Sequence, residues 1–457
     1  MDIDFYEEAL KVKDDMLKDI ATLIEIPSVY DENTVTEDSP YGINCKKALE
    51  KTLELGKRDG YKVENIASRA GHILIGEGEN AVGILGHVDV VPVDKSGWHT
   101  DPFKMEIKDG AVYGRGVADD KGPLMAGYYG AKIIDRLGLL NGKQVRLIFG
   151  SDEERGSSCM AYYASHVETP TCSFTPDGEF PVSYAEKQCV RYLIDVDFKE
   201  GDLVSIKGGS AVNIVCDKVD AVVNKDITLF DDYNDYLKEN GLTGSIESKN
   251  HQTYFNLRGI PAHGSLPERG KNAATYLCHY LASKINSEVV DYIDKYYHDD
   301  TTATHLKVNH TGKLGPLSMN VGIIDYKNNH LHLGLDFRTS HECKPAYIKA
   351  GIDASLKGLN PTIDEDISEA LYIDPNSDLV KKLHKAYVDI TGEVNASPQI
   401  MSGGTYAKHM PNCVAFGNEF PGHDVHMHED NENTLVEDLV KGCAIYAKAL
   451  YLLLNEE

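Results

Sequence analysis

The sequence predicts an α/β protein, with a mixed, twisted sheet and flanking helices, that carries an inserted α+β domain. In the first part of the chain, short apolar runs bounded by Gly or Asp alternate with stretches of helical periodicity, which is typical of an α/β domain. From about Glu186 apolar and polar residues alternate, which favours half-exposed antiparallel strands. Helical periodicity returns at Ser377.

The elements of the first part follow from the spacing of its apolar residues. Residues Ile3 to Ile24 place apolar side chains at near-helical spacing, so an amphipathic helix is expected to open the chain. The next patterns predict a helix at 45–55, strands at 73–75, 82–85 and 145–149, and a helix at 123–137.

The inserted part combines alternating and helical stretches. Alternation predicts strands at 190–196 and 330–337, and a helical pattern lies between them at 272–287. Amphipathic patterns from Ser377 and over 435–454 predict two closing helices. Because 457 residues are too many for one core, we expect two domains. Their predicted bounds are 1–183 with 376–457 for the first, and 184–375 for the inserted one.

Composition excludes several classes of function. Acidic residues exceed basic ones by 26 and no Lys/Arg stripe occurs, so nucleic acid is an unexpected partner. The N-terminus has no secretory signal, and the apolar runs are too short to span a membrane. The nine cysteines are odd in number and lack C-x-x-C spacing, which indicates a reducing compartment and therefore a cytoplasmic protein.

Five short stretches concentrate acidic residues and histidines beside glycines or apolar strands. In open α/β sheets, sites gather at the carboxyl ends of strands, where at least the first and third of these stretches are expected. The stretches are Gly86–Asp89, Gly114–Gly122, Ser151–Gly156, Pro176–Gly178 and the histidines of 423–428.

This combination suits a pair of divalent metal ions. Such a pair needs nitrogen and oxygen ligands with a shared carboxylate, and a separate carboxylate must take a proton from the attacking water. Glu153 and Glu154 could divide these tasks, because neighbours on an extended chain point in opposite directions. Asp89 could accept the second N–H of the His87 imidazole and fix its metal-binding tautomer.

Each stretch alone also has an ordinary structural explanation. The Asp119–Asp120 pair could cap a helix that begins near Gly122, and Asp177–Gly178 is a turn signal. His423, His426 and His428 could be exposed on a loop. All five stretches together favour a metal site.

In this order the motifs resemble the dinuclear-zinc metallopeptidases that include aminoacylases, glutamate carboxypeptidases, carnosinases and PepV-like bacterial dipeptidases. The match covers nearly the whole chain. The motifs are G-H-x-D at Gly86–Asp89, G-R-G-x-x-D-x-K-G at Gly114–Gly122, E-E at Glu153–Glu154, P-D-G at Pro176–Gly178 and H-x-x-N-E at His428–Glu432.

The resemblance implies the roles of the site residues. His87 and Asp177 would bind one ion, Glu154 and His428 the other, and Asp119 would bridge them. Glu153 would be the general base for a metal-bridging water. Zinc is the expected metal, with manganese or cobalt as alternatives. The resemblance also implies a cis peptide bond between Asp119 and Asp120.

The inserted domain resembles the family's lid, here expected as two ferredoxin-like halves beside a zinc-peptidase-like catalytic domain. The resemblance assigns oxyanion stabilisation to His263 and substrate contact to Asn213. It assigns the grip on the substrate's terminal carboxylate to Arg338, with the backbone amides of Gly403 and Gly404.

Two features point to the PepV-like dipeptidase branch. One is the sequence Asp119–Pro123; the other is an insertion long enough for two lid-sized units, which implies a monomer because a doubled lid supplies His263 within one chain. The expected reaction is hydrolysis of unblocked dipeptides, and an N-acyl-amino-acid deacylase is the alternative. A non-catalytic metal- or peptide-binding protein is a further alternative, whereas no nucleotide-binding motif occurs.

Overall fold

The computed structural model describes residues 3–455, and contacts between Cα atoms divide them into two compact units. The first unit comprises the described parts of 1–185, 372–401 and 405–457. The second comprises 186–371 and 402–404. Three separate stretches of chain therefore build the first unit.

Ten α-helices occur among the described residues. Asp4 caps the first by accepting the backbone N–H groups of Tyr6 and Glu7, and Gly392, in the left-handed region at φ 76°, ends the ninth. The helices are α1 Phe5–Ile24, α2 Ile43–Arg58, α3 Lys121–Arg136, α4 Ser158–His166, α5 Tyr233–Glu239, α6 Ala273–Ala282, α7 Glu288–Tyr297, α8 Pro345–Ser355, α9 Asp378–Thr391 and α10 Val436–Asn455.

The helix predicted over 272–287 is shorter than expected. The structure ends α6 at Ala282 and starts α7 at Glu288. Ser287 lies between them in an extended conformation, so the last five residues of the predicted helix, 283–287, are not helical.

The strands form two large sheets and two small ones. In chain order they are β1 Lys62–Ile66, β2 Ala70–Ile75, β3 Glu79–His87, β4 Glu106–Lys108, β5 Ala111–Tyr113, β6 Lys143–Gly150, β7 Cys172–Thr175, β8 Ser183–Glu186, β9 Gln188–Asp197, β10 Leu203–Gly208, β11 Lys218–Val223, β12 Thr243–Lys249, β13 Gln252–Arg258, β14 Thr311–Gly312, β15 Gly315–Pro316, β16 Ser318–Lys327, β17 His330–Thr339, β18 Thr362–Ser368, β19 Leu371–Tyr372, β20 Gln399–Met401, β21 Cys413–Ala415 and β22 Asn433–Leu435.

The first unit is built on a mixed nine-stranded sheet. Its order is β1-β2-β6-β3-β7-β21-β8-β19, with β20 paired to β8. The central pairs β6–β3, β3–β7 and β7–β21 are parallel, whereas β1–β2, β2–β6 and β21–β8 are antiparallel. The predicted α/β class with a mixed sheet is confirmed.

The core of the first unit lies between this sheet and its helices. Apolar side chains of the central strands, such as Ile84 and Leu147, are fully buried, as are Leu124 of α3 and Leu450 of α10. Helices α1, α3 and α10 pack on one another, and α3 and α10 also pack on β3. The central parallel strands are buried on both faces, which explains their nearly continuous apolar runs.

The second unit contains an eight-stranded antiparallel sheet in the order β12-β13-β11-β10-β16-β17-β9-β18. Strands β9, β16, β17 and β18, with α7 and α8, have the chain order and neighbours of a ferredoxin-like unit. Strands β11, β12 and β13, with α5 and α6, repeat this arrangement, and β10 from earlier in the chain takes the fourth position. The expected two halves are therefore present in one continuous sheet.

Two further features concern the whole described chain. No helix among the described residues has the length and apolar character needed to cross a membrane. The nine cysteines, all within the described residues, form no disulfide bond with one another.

Candidate metal centre

Three candidate ligands lie at, or shortly after, the carboxyl ends of three adjacent parallel strands. His87 is the last residue of β3 and pairs with Gly150, the last residue of β6. Glu154 comes shortly after β6, and Asp177 shortly after β7, on the other side of β3. The sheet thus delivers these three side chains to one edge, where open α/β sheets hold their sites.

The remaining two ligands are brought together by a small three-stranded sheet. Strand β22 follows the His428 loop, and β5 precedes the glycine-rich loop that carries Asp119. These strands pair antiparallel, with Asn433 opposite Tyr113. The two loops therefore lie side by side, and the peptide bond after Asp119 is cis, as the resemblance implied.

The five side chains converge on a shared carboxylate. Oδ1 of Asp119 lies 2.8 Å from Nε2 of His87, and its Oδ2 lies 2.8 Å from Nε2 of His428. Ligand atoms of His87, Asp119 and Asp177 all lie within 4.8 Å of one another, and so do those of Asp119, Glu154 and His428. The geometry is that of two ligand groups that share Asp119.

This donor set fits two divalent cations. Its three carboxylates and two imidazoles offer the oxygen and nitrogen atoms that divalent cations bind, and three carboxylates held this close together away from water need compensating positive charge. Oε1 of Glu154 is buried and accepts no hydrogen bond from any described residue. Although burial opposes its ionisation, Asp119 has a pKa well below the usual range because His87 and His428 lie beside it.

The three histidines of the loop 423–428 have different partners. His423 lies 3.1 Å from Oδ1 of Asn433 and 3.4 Å from Asp438, and His426 lies 3.5 Å from Glu429. Neither belongs to a ligand group among the described residues. Only His428 of this loop contacts Asp119.

Asp89 contacts both His87 and the E-E pair. The second N–H of the His87 imidazole faces the backbone carbonyl oxygen of Asp89 at 3.0 Å, whereas the Asp89 carboxylate is 3.5 Å away. That carboxylate instead accepts the backbone N–H groups of Glu153 and Glu154, both at 3.2 Å. The carbonyl contact keeps Nε2 of His87 available as a ligand atom, and the carboxylate holds the E-E pair.

The prediction that Glu153 and Glu154 diverge along an extended chain was wrong, because both residues lie in a turn after β6. They still differ in environment. Glu154 belongs to a ligand group, and Glu153 belongs to neither group among the described residues. Burial, followed by the charge of Asp177, raises the pKa of the Glu153 carboxyl well above its usual range.

In the second unit, the stretches that carry Asn213 and His263 are fixed to each other. Gly264 donates its backbone N–H to the carbonyl oxygen of Asn213. Ile214, which follows Asn213, forms an antiparallel β-bridge with His263. The buried Asn320 donates its Nδ2 hydrogens to the carbonyl oxygens of Val212 and Ile214, one on each side of Asn213. These contacts hold both candidate substrate-binding side chains on one scaffold.

The imidazole of His263 has a defined tautomer. Ser265 donates its backbone N–H to Nδ1 of His263 at 3.2 Å, and its hydroxyl lies 2.7 Å from the same atom. Nδ1 is therefore an acceptor, so a neutral His263 carries its proton on Nε2. An Nε2–H group is a hydrogen-bond donor, as oxyanion stabilisation requires.

Arg338 is buried on β17 and held from three sides. It donates from Nε to Asp336 at 2.9 Å, and from one terminal nitrogen to Cys189 at 2.7 Å and to the carbonyl oxygen of Ser402 at 3.0 Å. The last contact places Ser402, which precedes Gly403 and Gly404, beside the guanidinium, and residues 402–404 belong to the second unit. A rigid guanidinium beside backbone amides suits a carboxylate.

Four supporting residues were not predicted. Asn320 and Ser265 lie outside any motif that we identified, so the sequence offered no signal for them. Arg115 and Glu432 are letters of the G-R-G and H-x-x-N-E motifs, and their buried ion pair, at 2.7 Å, could have been suspected from that position.

Comparisons with known proteins agree with this architecture. The model of Peptidase family M20/M25/M40 matches residues 83–452. "Putative dipeptidase YtjP" of Bacillus subtilis (strain 168) is 33% identical over 461 residues, which cover 97% of this chain and 98% of that one. The Beta-Ala-Xaa dipeptidase of Lactobacillus delbrueckii subsp. lactis is 33% identical over 475 residues, which cover 100% of both chains. The solved structure of the di-peptidase Dug1p from Saccharomyces cerevisiae has a TM-score of 0.60 at 14% identity, covers 99% of this chain and 98% of that one, and shows a shared fold.

The fold, the paired ligand groups and these matches define a metal-dependent peptidase. The chain belongs to peptidase family M20/M25/M40. The predicted family and enzyme class are therefore confirmed.

Proposed function

We propose that this protein is a dipeptidase that hydrolyses the peptide bond of unblocked dipeptides with two divalent metal ions. The observation that carries the proposal is the pair of ligand groups that share Asp119. His87 and Asp177 would complete one ion's protein ligands, and Glu154 and His428 the other's. When bound, two such ions lower the pKa of a water molecule and polarise the substrate carbonyl.

Zinc is the proposed metal, with manganese and cobalt as alternatives. Two imidazole nitrogens and three carboxylates suit zinc, and the excess of oxygen ligands also suits manganese. The contact between His87 and the backbone of Asp89 supports this role because it orients Nε2 as a ligand atom.

Glu153 is the proposed general base. It lies beside the ligand Glu154 and is not itself a member of a ligand group among the described residues. Its raised pKa suits a carboxylate that accepts a proton from the attacking water and then gives it to the nitrogen of the leaving amine. The two hydrogen bonds from the E-E pair to Asp89 support a fixed position for this carboxylate.

The proposed contacts to the rest of the substrate come from the second unit. Arg338, with the backbone amides of Gly403 and Gly404, would bind the terminal carboxylate. His263 would donate its Nε2–H to the oxyanion, and Asn213 would contact the same region of the substrate.

An N-acyl-amino-acid deacylase remains the second candidate of the same chemistry. Both kinds of substrate end in a free carboxylate, so Arg338 accepts either. The names of the relatives favour the dipeptidase, since both of the curated relatives described above carry that name.

The test is turnover after metals are added back to metal-free protein. A panel of free dipeptides is compared with N-acetylated amino acids at equal concentration, with Zn²⁺, Mn²⁺ or Co²⁺. We expect metal-dependent release of amino acids from the free dipeptides. Preferential cleavage of the N-acetylated compounds would replace the proposal with the deacylase, and no metal-dependent turnover of either class would refute both.

We further propose a monomer in the cytoplasm. The second unit supplies His263 from a doubled lid of one chain, which supports a monomer. The absence of disulfide bonds among the nine cysteines supports a reducing compartment. Light scattering of the purified protein tests the first point, and an obligate dimer would contradict it.

A further inference from the structure

The buried carboxylate of Glu432 is the anchor of the loop that carries Asp119. Its Oε1 accepts the backbone N–H groups of Gly116, Ala118 and Asp119, at 3.0, 2.9 and 3.1 Å. Its Oε2 accepts a hydrogen bond from Arg115 at 2.7 Å and lies 3.1 Å from the backbone nitrogen of Gly116. One side chain thus accepts hydrogen bonds from three backbone N–H groups of the glycine-rich loop.

Arg115 extends the same contact to the histidine loop. Its second terminal nitrogen donates to the backbone carbonyl oxygen of Glu429 at 3.1 Å, the residue that follows His428. Arg115 and Glu432 are 2% and 0% exposed, so their ion pair lies away from water. The guanidinium carbon of Arg115 also lies 5.3 Å from the centre of the Trp98 ring.

These contacts join two chain segments that are more than three hundred positions apart. Glu432 belongs to the segment of His428, and every group that it accepts from belongs to the segment of Asp119. The two loops that carry Asp119 and His428 are therefore joined by an ion pair whose hydrogen bonds described above include neither of those two side chains.

We propose that Glu432 and Arg115 are positioning residues that preset Asp119 and His428 for cation binding before any ion arrives. This inference rests on the proposed function, because it concerns the same two ligand groups. Groups behind metal ligands commonly change metal affinity by about 10–100-fold when they are replaced. The pair is expected to act through affinity for the ions, since it donates no ligand atom.

Glu432→Gln is the most informative variant because it preserves shape. A glutamine oxygen can still accept from the loop amides, but its NH₂ group would then face the Arg115 donor. The buried guanidinium of Arg115 would lose its counter-charge, and the glycine-rich loop would shift, which would change the distance between Asp119 and His428. Trp98, the one tryptophan of the sequence, reports such movement of Arg115 through its fluorescence.

The experiment is calorimetric titration of Zn²⁺ into metal-free wild-type and variant protein. Glu429→Gln is the matched control, because it removes the same charge from the same loop and its carboxylate is 72% exposed. We expect Glu432→Gln to weaken Zn²⁺ binding by about 10–100-fold and to change Trp98 emission, whereas Glu429→Gln stays within about twofold of wild type. Circular dichroism checks that each variant is folded.

A second variant keeps the test decisive if Glu432→Gln does not fold. Arg115→Lys retains the charge but cannot reach both Glu432 and Glu429 with a planar fork, so a smaller loss of Zn²⁺ affinity is expected. Zn²⁺ affinities of the folded variants within about twofold of wild type would overturn the inference and leave the proposed function intact. Wild-type protein that binds no pair of Zn²⁺ ions would overturn both.

Discussion

The Nε2 atom of His428 lies 2.8 Å from Oδ2 of Asp119, although 309 positions separate the two residues in the chain. Oδ1 of the same carboxylate lies at the same distance from Nε2 of His87. Each carboxylate oxygen of Asp119 therefore contacts a different histidine, as expected of a carboxylate shared by two ligand groups.

Replacement of His428 by Ala should reduce the number of bound Zn²⁺ ions from two to one. The reason is that one ligand group loses its only nitrogen, while the group of His87 and Asp177 is unchanged. His426→Ala is the control, since its side chain is similarly exposed, 45% against 51%, and it contacts Glu429 instead. Elemental analysis after dialysis gives the count. Two ions retained by the His428 variant would contradict the assignment.

Glu153→Gln should leave metal content unchanged and lower kcat by about 10²–10⁴-fold. The amide keeps the size of the side chain but cannot accept a proton from the attacking water. Both metal content and turnover of a free dipeptide are measured. Glu168→Gln, at an exposed position of the same unit, should behave as wild type. Full activity of the Glu153 variant would show that another group is the base.

His263→Ala should lower kcat by about 10²–10³-fold with little change in KM. The expected donor, Nε2–H, strengthens its contact only as negative charge develops on the substrate oxygen. Steady-state kinetics with one dipeptide separate the two constants. A large rise in KM with unchanged kcat would instead assign His263 to ground-state binding.

Arg338→Met should abolish discrimination between a dipeptide and its C-terminal amide. In wild-type protein, loss of the substrate carboxylate should lower kcat/KM by about 10–100-fold, because a hydrogen-bonded charge is lost. The variant should cleave both compounds equally slowly. Arg258→Met, an exposed arginine on β13, serves as the control. Persistent discrimination in the Arg338 variant would place the carboxylate elsewhere.

Acidification should destabilise the first unit through His72. Burial, reinforced by the charge of Arg146, lowers the pKa of His72 from 6.5 to about 4. A histidine that is neutral when buried contributes stability that is complete above pH 6.5 and lost as the pH falls towards 4, because only the unfolded chain takes up the proton. Between pH 7 and pH 5 this loss is about 2 kcal/mol.

Urea unfolding at these two pH values, compared with His72→Gln, measures this contribution. The glutamine variant lacks the titrating group, so its stability should fall by about 2 kcal/mol less than that of wild type. Equal losses in the two proteins would show that other groups account for the acid sensitivity.

Much of the first unit was predictable because its local patterns are strong. The apolar runs at 82–85 and 145–149 became the adjacent parallel strands β3 and β6, and the helices opening and closing the chain lie where periodicity placed them. The region 272–287 was less predictable, because α6 ends at Ala282 within the predicted helix and the extended Ser287 precedes α7.

The candidate ligands were accessible from motifs, but their surroundings were not. No sequence pattern indicates that the backbone carbonyl of Asp89 faces His87. Nor does any pattern indicate that the Asp89 carboxylate accepts the backbone N–H groups of Glu153 and Glu154. Asn320 was missed for the same reason, since only the folded sheet brings it between the carbonyl groups on either side of Asn213.

The sequence by itself determined which side chains this protein offers to metals and substrate. The type of a side chain fixes its ligand atoms, and the order of the motifs along the chain identifies the positions. Tertiary structure alone decided how Glu432 and Asp89 hold those side chains. Such hydrogen bonds to backbone amides form only when segments that are distant in the chain lie side by side. Strand pairing, such as that of β22 with β5, brings those segments together.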